Sequence, residues 1–247
     1  MTATAPNWLT LFLDIPHANH QAANGFWQAA TGYELSSPRG ECEEFATLIP
    51  PSGHAHLRVQ RTKAEHFSVH LDLHVSDLDA ATDSAVRAGA EIVAQPGHVI
   101  MRSPAGLLFC LVRGRDETTP ATSGDWGTHR SITDQLTIDV AHDAWDREKS
   151  FWSDLTGWAV TQSARPEFAR LHTPPSLPVR VLLQRRDEGG TSSHLDIATD
   201  NRAAEVERLI RLGATLLGHG PTWTVMTGPD NSVFCVTDRS PATGLLP

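Results

Sequence analysis

The sequence predicts an α+β fold made of four βαβββ units, and the main reason is an internal repeat. Four segments share an aspartate between two aliphatic positions: Phe12–Ile15, His70–Leu73, Thr137–Val140 and His194–Ile197. The aspartates of the first and third segments are 125 positions apart, and those of the second and fourth are 124 apart. Spacings of 58 and 57 positions separate the aspartates within each half. Fixed periods indicate duplication, so the chain is predicted to contain two copies of a domain that is itself a repeat.

Other landmarks follow the longer period and support the same register. They are Phe26-Trp27 with Phe151-Trp152, Thr31-Gly32-Tyr33 with Thr156-Gly157-Trp158, Gln60-Arg61 with Gln184-Arg185, and Phe109-Cys110 with Phe234-Cys235. This many matches in one register indicate that the two halves have the same fold.

Each quarter of the chain is predicted to open with a strand and to continue with an amphipathic helix. The opening strands are Leu9–Ile15, Val69–Val75, Gln135–Val140 and His194–Ala198. In the first helix, apolar residues recur at spacings of three and four around Phe26 and Trp27. The helices of the second and fourth quarters follow Asp77 and Asp200 and stop at Gly89 and Gly213, a pattern typical of helix capping.

Short strands and hairpin turns complete each quarter. The predicted strands include Phe45–Ile49, Leu57–Gln60, His98–Arg102 and Leu107–Val112, with turns at Pro104–Gly106 and Pro229–Asn231. We expect domains at residues 5–114 and 129–240. They are joined by a linker, residues 115–128, which is rich in Thr, Gly, Asp and Ser and lacks apolar periodicity. Trp126 within this linker is expected to pack on a domain surface.

Composition and charge narrow the classes of partner. Lys and Arg number 20 against 29 Asp and Glu, and a net charge of -9 disfavours nucleic acid and anionic membrane surfaces. The sequence shows neither an apolar run long enough to span a bilayer nor a secretory signal pattern. Three cysteines without a CxxC pair predict no disulfide framework, so we expect a protein of the cytoplasm.

The paired βαβββ units resemble the vicinal oxygen chelate superfamily, which includes glyoxalase I, extradiol dioxygenases and bleomycin-resistance proteins. Phe26-Trp27 followed by Thr31-Gly32-Tyr33 is similar to the superfamily's first helix and its exit. Ser103–Cys110 is similar to its closing hairpin. The resemblance covers nearly the whole chain in two copies, and is strongest to actinobacterial glyoxalase-like domains. It implies two cup-shaped mixed sheets that each hold a small molecule on the concave face.

The resemblance also implies which positions would hold a metal. In the first copy these positions are occupied by Phe12, Gln60, His70 and Cys110, and in the second by Thr137, Gln184, His194 and Cys235. A phenylalanine cannot ligate a metal, and cysteine stands where the superfamily usually has glutamate. A thiolate does not suit the iron, manganese or nickel sites of these enzymes, although zinc accepts cysteine and histidine. We therefore expect no metal of the usual kind, and a divalent metal at His70 with Cys110, or at His194 with Cys235, stays as the alternative.

The remaining candidate contacts follow from strand geometry. Alternation places His70 and Asp72 on one face of their strand, and His194 and Asp196 on one face of theirs. Trp223 and its counterpart His98 are expected to form pocket walls beside these residues, with Gln60 and Gln184 as further polar contacts.

Two functions are consistent with these features. The first is a small-molecule-binding protein of the glyoxalase and bleomycin-resistance type, without the usual catalytic metal. The second is a metal-dependent lyase, isomerase or extradiol-type dioxygenase that uses His70 or His194. Whether the protein is an enzyme stays open at this stage, as does the choice between a monomer with an intramolecular pseudo-dimer and a homodimer.

Overall fold

A computed structural model describes residues 5–114 and 117–247, and each quarter has the predicted βαβββ order. The first quarter consists of β1 (Trp8–Pro16), α1 (His20–Thr31), β2 (Glu34–Leu35), β3 (Phe45–Ile49) and β4 (Leu57–Thr62). The second consists of β5 (Ser68–Val75), α2 (Leu78–Arg87), β6 (Glu91–Ala94), β7 (Val99–Arg102) and β8 (Leu108–Arg113).

The second half repeats this order after a short additional strand, β9 (Gly124–Asp125). The third quarter consists of β10 (Arg130–Ala141), α3 (Trp145–Thr156), β11 (Val160–Gln162), β12 (Phe168–Leu171) and β13 (Arg180–Arg186). The fourth consists of β14 (Ser192–Thr199), α4 (Arg202–Arg211), β15 (Thr215–His219), β16 (Trp223–Thr227) and β17 (Val233–Thr237). The α+β class and the four βαβββ units are therefore confirmed. None of the described helices is both long and apolar enough to cross a bilayer.

The helix ends follow the capping rules, with one difference from the sequence prediction. The Asp77 carboxylate accepts a hydrogen bond from the Ala80 amide and caps α2. In α4 the cap is Asn201, whose side chain accepts from the Ala204 amide, whereas the sequence predicted Asp200. The Asp200 carboxylate instead accepts from the Arg130 amide on β10.

The segment predicted as a linker is more ordered than its composition suggested. Arg115 and Asp116 lie outside the described residues. Further along, β9 pairs with the start of β10. With this pairing, β10 begins five residues before its predicted start. The sequence did not indicate these residues as strand because Ser131 and Thr133 are polar, although both are buried in the fold. Trp126 packs against Gly32 and under the Arg208 guanidinium, which lies 3.6 Å from the indole centroid, as expected for a surface anchor.

The strands form open mixed sheets, and close contacts group the chain into two compact units. The first unit contains the described parts of residues 1–11, 70–119 and 136–193. In this unit, the order of neighbouring strands in one sheet is the start of β1, then β5, β8, β7 and β6. In the other sheet the order is β10, β13, β12 and β11. The parallel pair β5 and β8 aligns Asp72 with Cys110.

The second unit contains residues 12–69, 120–135 and 194–247. In this unit, the order of neighbouring strands in one sheet is the rest of β1, then β4, β3 and β2. In the other sheet the order is the start of β10, then β14, β17, β16 and β15. The parallel pair β14 and β17 aligns Asp196 with Cys235, which repeats the arrangement of the first unit.

Each unit contains a helix from one sequence copy packed on a strand from the other copy. In the first unit, α3 packs Phe151 and Trp152 against Phe109 of β8, at ring-centroid distances of 5.7 and 5.2 Å. In the second unit, α1 packs Phe26 and Trp27 against Phe234 of β17, at 5.7 and 5.5 Å. These buried aromatic clusters tie the two sequence copies together.

A buried carboxylate lies beneath the helix tryptophan in both units, but it comes from different elements. In the first unit the Trp152 indole donates to Glu148 of the same helix, at 2.8 Å, and Glu148 also accepts from the Ala105 amide in the hairpin turn. In the second unit the Trp27 indole donates to Asp230 of the hairpin turn, at 3.3 Å. The matching positions carry alanine, namely Ala23 in α1 and Ala105 in the first hairpin.

In the second unit, a glutamate on α1 should be able to replace the hairpin aspartate as the acceptor of the Trp27 indole. Asp230→Ala removes the acceptor of Trp27 and of Ser232, so we expect the free energy of unfolding to fall by about 1–3 kcal/mol. Adding Ala23→Glu supplies a carboxylate at the position of Glu148 and should recover most of that loss in urea unfolding. Ala23→Glu alone should destabilise, because it buries a second carboxylate beside Asp230. A double variant no more stable than Asp230→Ala would contradict this account.

Glu148 also predicts a pH dependence of stability. Burial raises the pKa of its carboxyl from the usual 4.5, and hydrogen bonds from Ser103, Ala105 and Trp152 oppose that shift only in part. Because the folded chain holds this proton more tightly, its contribution is complete below about pH 4.5 and is lost as the pH rises through the folded pKa. In urea unfolding between about pH 4.5 and about pH 7.5, wild type should lose stability relative to Glu148→Gln. Parallel pH profiles of the two proteins would refute the prediction.

Candidate functional site

The first candidate site lies on β5 and β8, where His70, Asp72 and Cys110 meet. Alternation along β5 puts His70 and Asp72 on one face, and the parallel register places Cys110 directly beside Asp72. The His70 Nε2 atom is 3.6 Å from Asp72 Oδ1, and the ligand atoms of all three side chains lie within 4.8 Å of one another. Asp72 and Cys110 are buried, whereas the His70 side chain retains 16% exposure.

The second candidate site repeats this arrangement on β14 and β17 with His194, Asp196 and Cys235. The His194 Nε2 atom is 3.4 Å from Asp196 Oδ1 and 3.6 Å from Cys235 Sγ. Asp196 and Cys235 are buried, and the His194 side chain retains 12% exposure. Among the described residues, these two sets are the groups of three His, Cys, Asp or Glu side chains close enough to share one ion.

The contacts at the second site differ from those of a nucleophilic relay. In a cysteine–histidine–aspartate triad, the thiol contacts one ring nitrogen and the carboxylate holds the other. Here Cys235 and Asp196 both approach Nε2 of His194. Three donor atoms that converge on a single point are typical of a metal site.

The donor spacing at the second site fits a tetrahedral ion such as zinc. Zinc binds sulfur at about 2.3 Å and nitrogen or oxygen at about 2.0–2.2 Å, so tetrahedral ligands lie about 3.6 Å apart for S and N and about 3.4 Å apart for N and O. The observed separations are 3.6 Å between Cys235 Sγ and His194 Nε2 and 3.4 Å between His194 Nε2 and Asp196 Oδ1. Two donor separations therefore match a zinc-type ion, and all three donors lie within 4.8 Å of one another.

A residue that the sequence analysis did not single out supports the second site. The Gln135 side-chain amide on β10 donates a hydrogen bond to Asp196 Oδ2 and so leaves Oδ1 facing His194. At the matching position the first copy has Thr10, whose hydroxyl lies 2.8 Å from Nε2 of buried His74. The two sites therefore differ in the residues around a shared set of donors. Alternation could have indicated Gln135, because it lies two positions before Thr137 on the same strand face.

The other predicted residues lie on neighbouring strands. Gln60 of β4 pairs with Phe45 of β3, and Gln184 of β13 pairs with Phe168 of β12. Both glutamines are half-buried, and Gln184 lines an open polar depression together with Glu167 and residues 185–188. Neither residue is among the groups that converge at the two sites.

Phe12, predicted to be unable to ligate a metal, packs edge-on against Phe45 at 6.1 Å. The matching Thr137 is buried on β10. The first-strand positions that the resemblance assigns to ligands therefore add no second imidazole or carboxylate to either site.

Trp223 and His98, the predicted pocket walls, lie at the starts of matching strands in the two copies. Trp223 is the first residue of β16 and pairs with Thr237 of β17, and two positions later Val225 pairs with Cys235. Paired residues of antiparallel strands point to the same face, so the Trp223 side chain lies on the face that carries the second site. His98 is half-buried in the bend before β7, which begins at Val99 and not at His98 as predicted.

The fold and the comparisons with known proteins agree. Paired βαβββ units in open mixed sheets define the vicinal oxygen chelate fold. The sequence profile of the glyoxalase-like domain matches residues 10–112 and 135–237, so the chain belongs to the glyoxalase-like domain family, in two copies. No curated protein matches the sequence.

Several solved structures share the fold at low sequence identity. A Mn(II)-bound glyoxalase from Novosphingobium aromaticivorans is 18% identical with a TM-score of 0.60, over 95% of this chain and 82% of that chain. An extradiol ring-cleaving dioxygenase from B. fuscum is 12% identical with a TM-score of 0.64, over 99% and 75%. A mutant 4-hydroxymandelate synthase from Streptomyces coelicolor is 15% identical with a TM-score of 0.61, over 96% and 93%.

The support from Gln135 predicts a local stability effect. Gln135→Leu leaves Asp196 Oδ2 without its amide donor in a buried position, so we expect a loss of about 1–3 kcal/mol in the free energy of unfolding. Gln95→Leu changes an exposed glutamine and should leave stability within about 0.5 kcal/mol of wild type. Equal stabilities of the two variants in urea would show that the amide does not hold Asp196.

Proposed function

We propose that this protein binds a small oxygen-bearing molecule on the sheet faces that carry His70 and His194, at a divalent ion held by each cysteine–histidine–aspartate set. The observation that carries the proposal is the convergence of three donor atoms in both copies, within 4.8 Å of one another. In this proposal Trp223 and His98 line the two sites, and Gln60 and Gln184 supply further polar contacts to the bound molecule.

The donor set favours zinc over the metals of the similar structures. Non-haem iron oxygenases use two histidines and one carboxylate, and manganese prefers oxygen ligands. Each set here contains one histidine and one soft thiolate, which zinc accepts together with a carboxylate. This set therefore favours non-redox chemistry, such as that of a lyase or isomerase, over dioxygenase chemistry.

The chain's own residues account for binding and orientation. Three protein ligands leave room for one oxygen of the bound molecule, and the ion, when bound, supplies a positive charge that polarises a carbonyl or hydroxyl group. His70 and His194 are the partly exposed members of their sets, so they lie at the side from which a molecule enters. The Gln135 amide holds Oδ2 of Asp196, so the carboxylate would bind the ion through Oδ1 alone.

The second candidate function is metal-free binding, as in sequestration of a toxic or secondary metabolite. The cysteines at positions where the superfamily usually has glutamate favour this function. In that case His70 and His194 would donate or accept hydrogen bonds with the ligand directly, and the aspartates would fix the tautomer of each imidazole.

The organisation of the chain is part of the proposal. We propose domains at residues 5–114 and 129–240, an intramolecular pseudo-dimer formed by the two copies, and a location in the cytoplasm. Three free cysteines in the described part of the chain are consistent with a reducing compartment.

Elemental analysis of protein purified without chelator and supplied with zinc tests the metal. We expect up to two zinc ions per chain, a loss of one ion in His70→Ala and in His194→Ala, and loss of both in the double variant. His66→Ala, which changes an exposed histidine, serves as the matched control and should keep the full content. Chelation should also lower the thermal midpoint of wild type, because an ion that binds only the folded state stabilises it.

Two results of this experiment would contradict the proposal. Wild type that stays free of metal after incubation with zinc, manganese and iron would overturn the metal site and leave direct binding. Metal that stays bound in the double histidine variant would show that other residues hold it.

A further inference from the structure

Gly220 and Trp223 form a local arrangement at the hairpin between β15 and β16. The Gly220 amide donates to the Trp223 carbonyl at 2.8 Å, which places the two residues opposite each other. A Cβ atom at position 220 would overlap the Cε2, Cδ2 and Cζ2 atoms of the indole. Gly220 does not have a positive φ, so the backbone does not require glycine there. Glycine is needed at position 220 because the indole ring of Trp223 lies against this residue and leaves no room for a side chain.

The arrangement places a fixed aromatic ring at the edge of the second site. Trp223 lies on the face of β16 that carries Val225, the neighbour of Cys235. Trp223 and Cys235 are therefore diagonal neighbours on one face of the sheet, about 7–8 Å apart. The indole lies against Gly220, and Trp223 as a residue is half-buried.

The first copy does not have this arrangement. Pro96 and Pro221 match in the repeat, and the residues before them are Gln95 and Gly220. His98 stands in place of Trp223. Position 95 therefore carries a side chain where position 220 has none, and the glycine and the tryptophan occur together in the second copy only.

We infer that the second site takes a molecule with a planar aromatic ring next to its oxygen groups, and that the ring stacks on Trp223. This inference rests on the proposed small-molecule function and adds the class of ligand. A ring fixed against Gly220 loses little freedom when a second ring stacks on it, so the interaction is well suited to recognition. The first site, with His98, has no such platform and is expected to show no preference for an aromatic ring.

Three hydroxy acids with the same head group test the inference in zinc-loaded protein. Calorimetric titration would compare lactate, 3-phenyllactate and 3-cyclohexyllactate, which differ only in the side group. We expect one equivalent of phenyllactate to bind about tenfold more tightly than cyclohexyllactate, because only the planar ring stacks. Lactate should bind more weakly than both.

Two variants remove the platform in different ways. Trp223→Leu deletes the ring, and Gly220→Ala keeps the ring but displaces it from its seat. Both should bring the ratio of phenyllactate to cyclohexyllactate affinity close to one, while Trp223→Phe should keep most of the preference. Leu217→Ala, an exposed position on the same hairpin, is the matched control and should retain the wild-type ratio. Zinc content and the thermal midpoint, measured on each variant, report whether the site and fold are intact.

The outcomes separate this inference from the proposed function. Equal affinities for the two ring acids in wild type, an unchanged ratio in both Trp223→Leu and Gly220→Ala, or no binding of any of the three acids would overturn the inference. A preference that depends on Trp223 in protein that binds no zinc would support the inference while the proposed metal site fails.

Discussion

The packing of α1 on β17 and of α3 on β8 is the contact on which the rest of the structure depends. Each helix brings a phenylalanine and a tryptophan onto a buried phenylalanine of the other sequence copy. Aromatic residues contribute large buried areas, so these clusters are major sources of stability in each unit. Because the contacts join different copies, neither copy encloses its own helix, and both must be present for either unit to be complete.

The same strands that receive these helices also carry the candidate site residues. Phe109 and Cys110 are consecutive on β8, as are Phe234 and Cys235 on β17, so the phenylalanine faces the helix while the cysteine faces the opposite side. Parallel pairing with β5 and β14 then brings an aspartate beside each cysteine. Helix packing on one face thus fixes the position of the donor atoms on the other.

Repetition and alternation explain why so much could be predicted from the sequence. The periods of 125 and 57 or 58 positions define the four units, and alternation places His70 with Asp72 and His194 with Asp196. Three features could not be predicted in this way. The start of β10 has polar residues that become buried, and the cap of α4 depends on the choice between adjacent Asp200 and Asn201. Alternation indicates the face on which Gln135 lies, but its partner Asp196 is far away in the sequence. All three depend on tertiary contacts and not on local pattern.

The placement of the buried acids makes the two copies non-interchangeable. If α1 packed on the hairpin of its own copy, Ala23 would meet Ala105 and the tryptophan N–H would be buried without an acceptor, and α3 on its own hairpin would bring Glu148 against Asp230. Both mismatches are costly, one through a lost hydrogen bond and the other through like charge. After the ancestral duplication, the copies have therefore become complementary halves of a pair. A chain made of two identical first halves, or of two identical second halves, would lack this match at both helices.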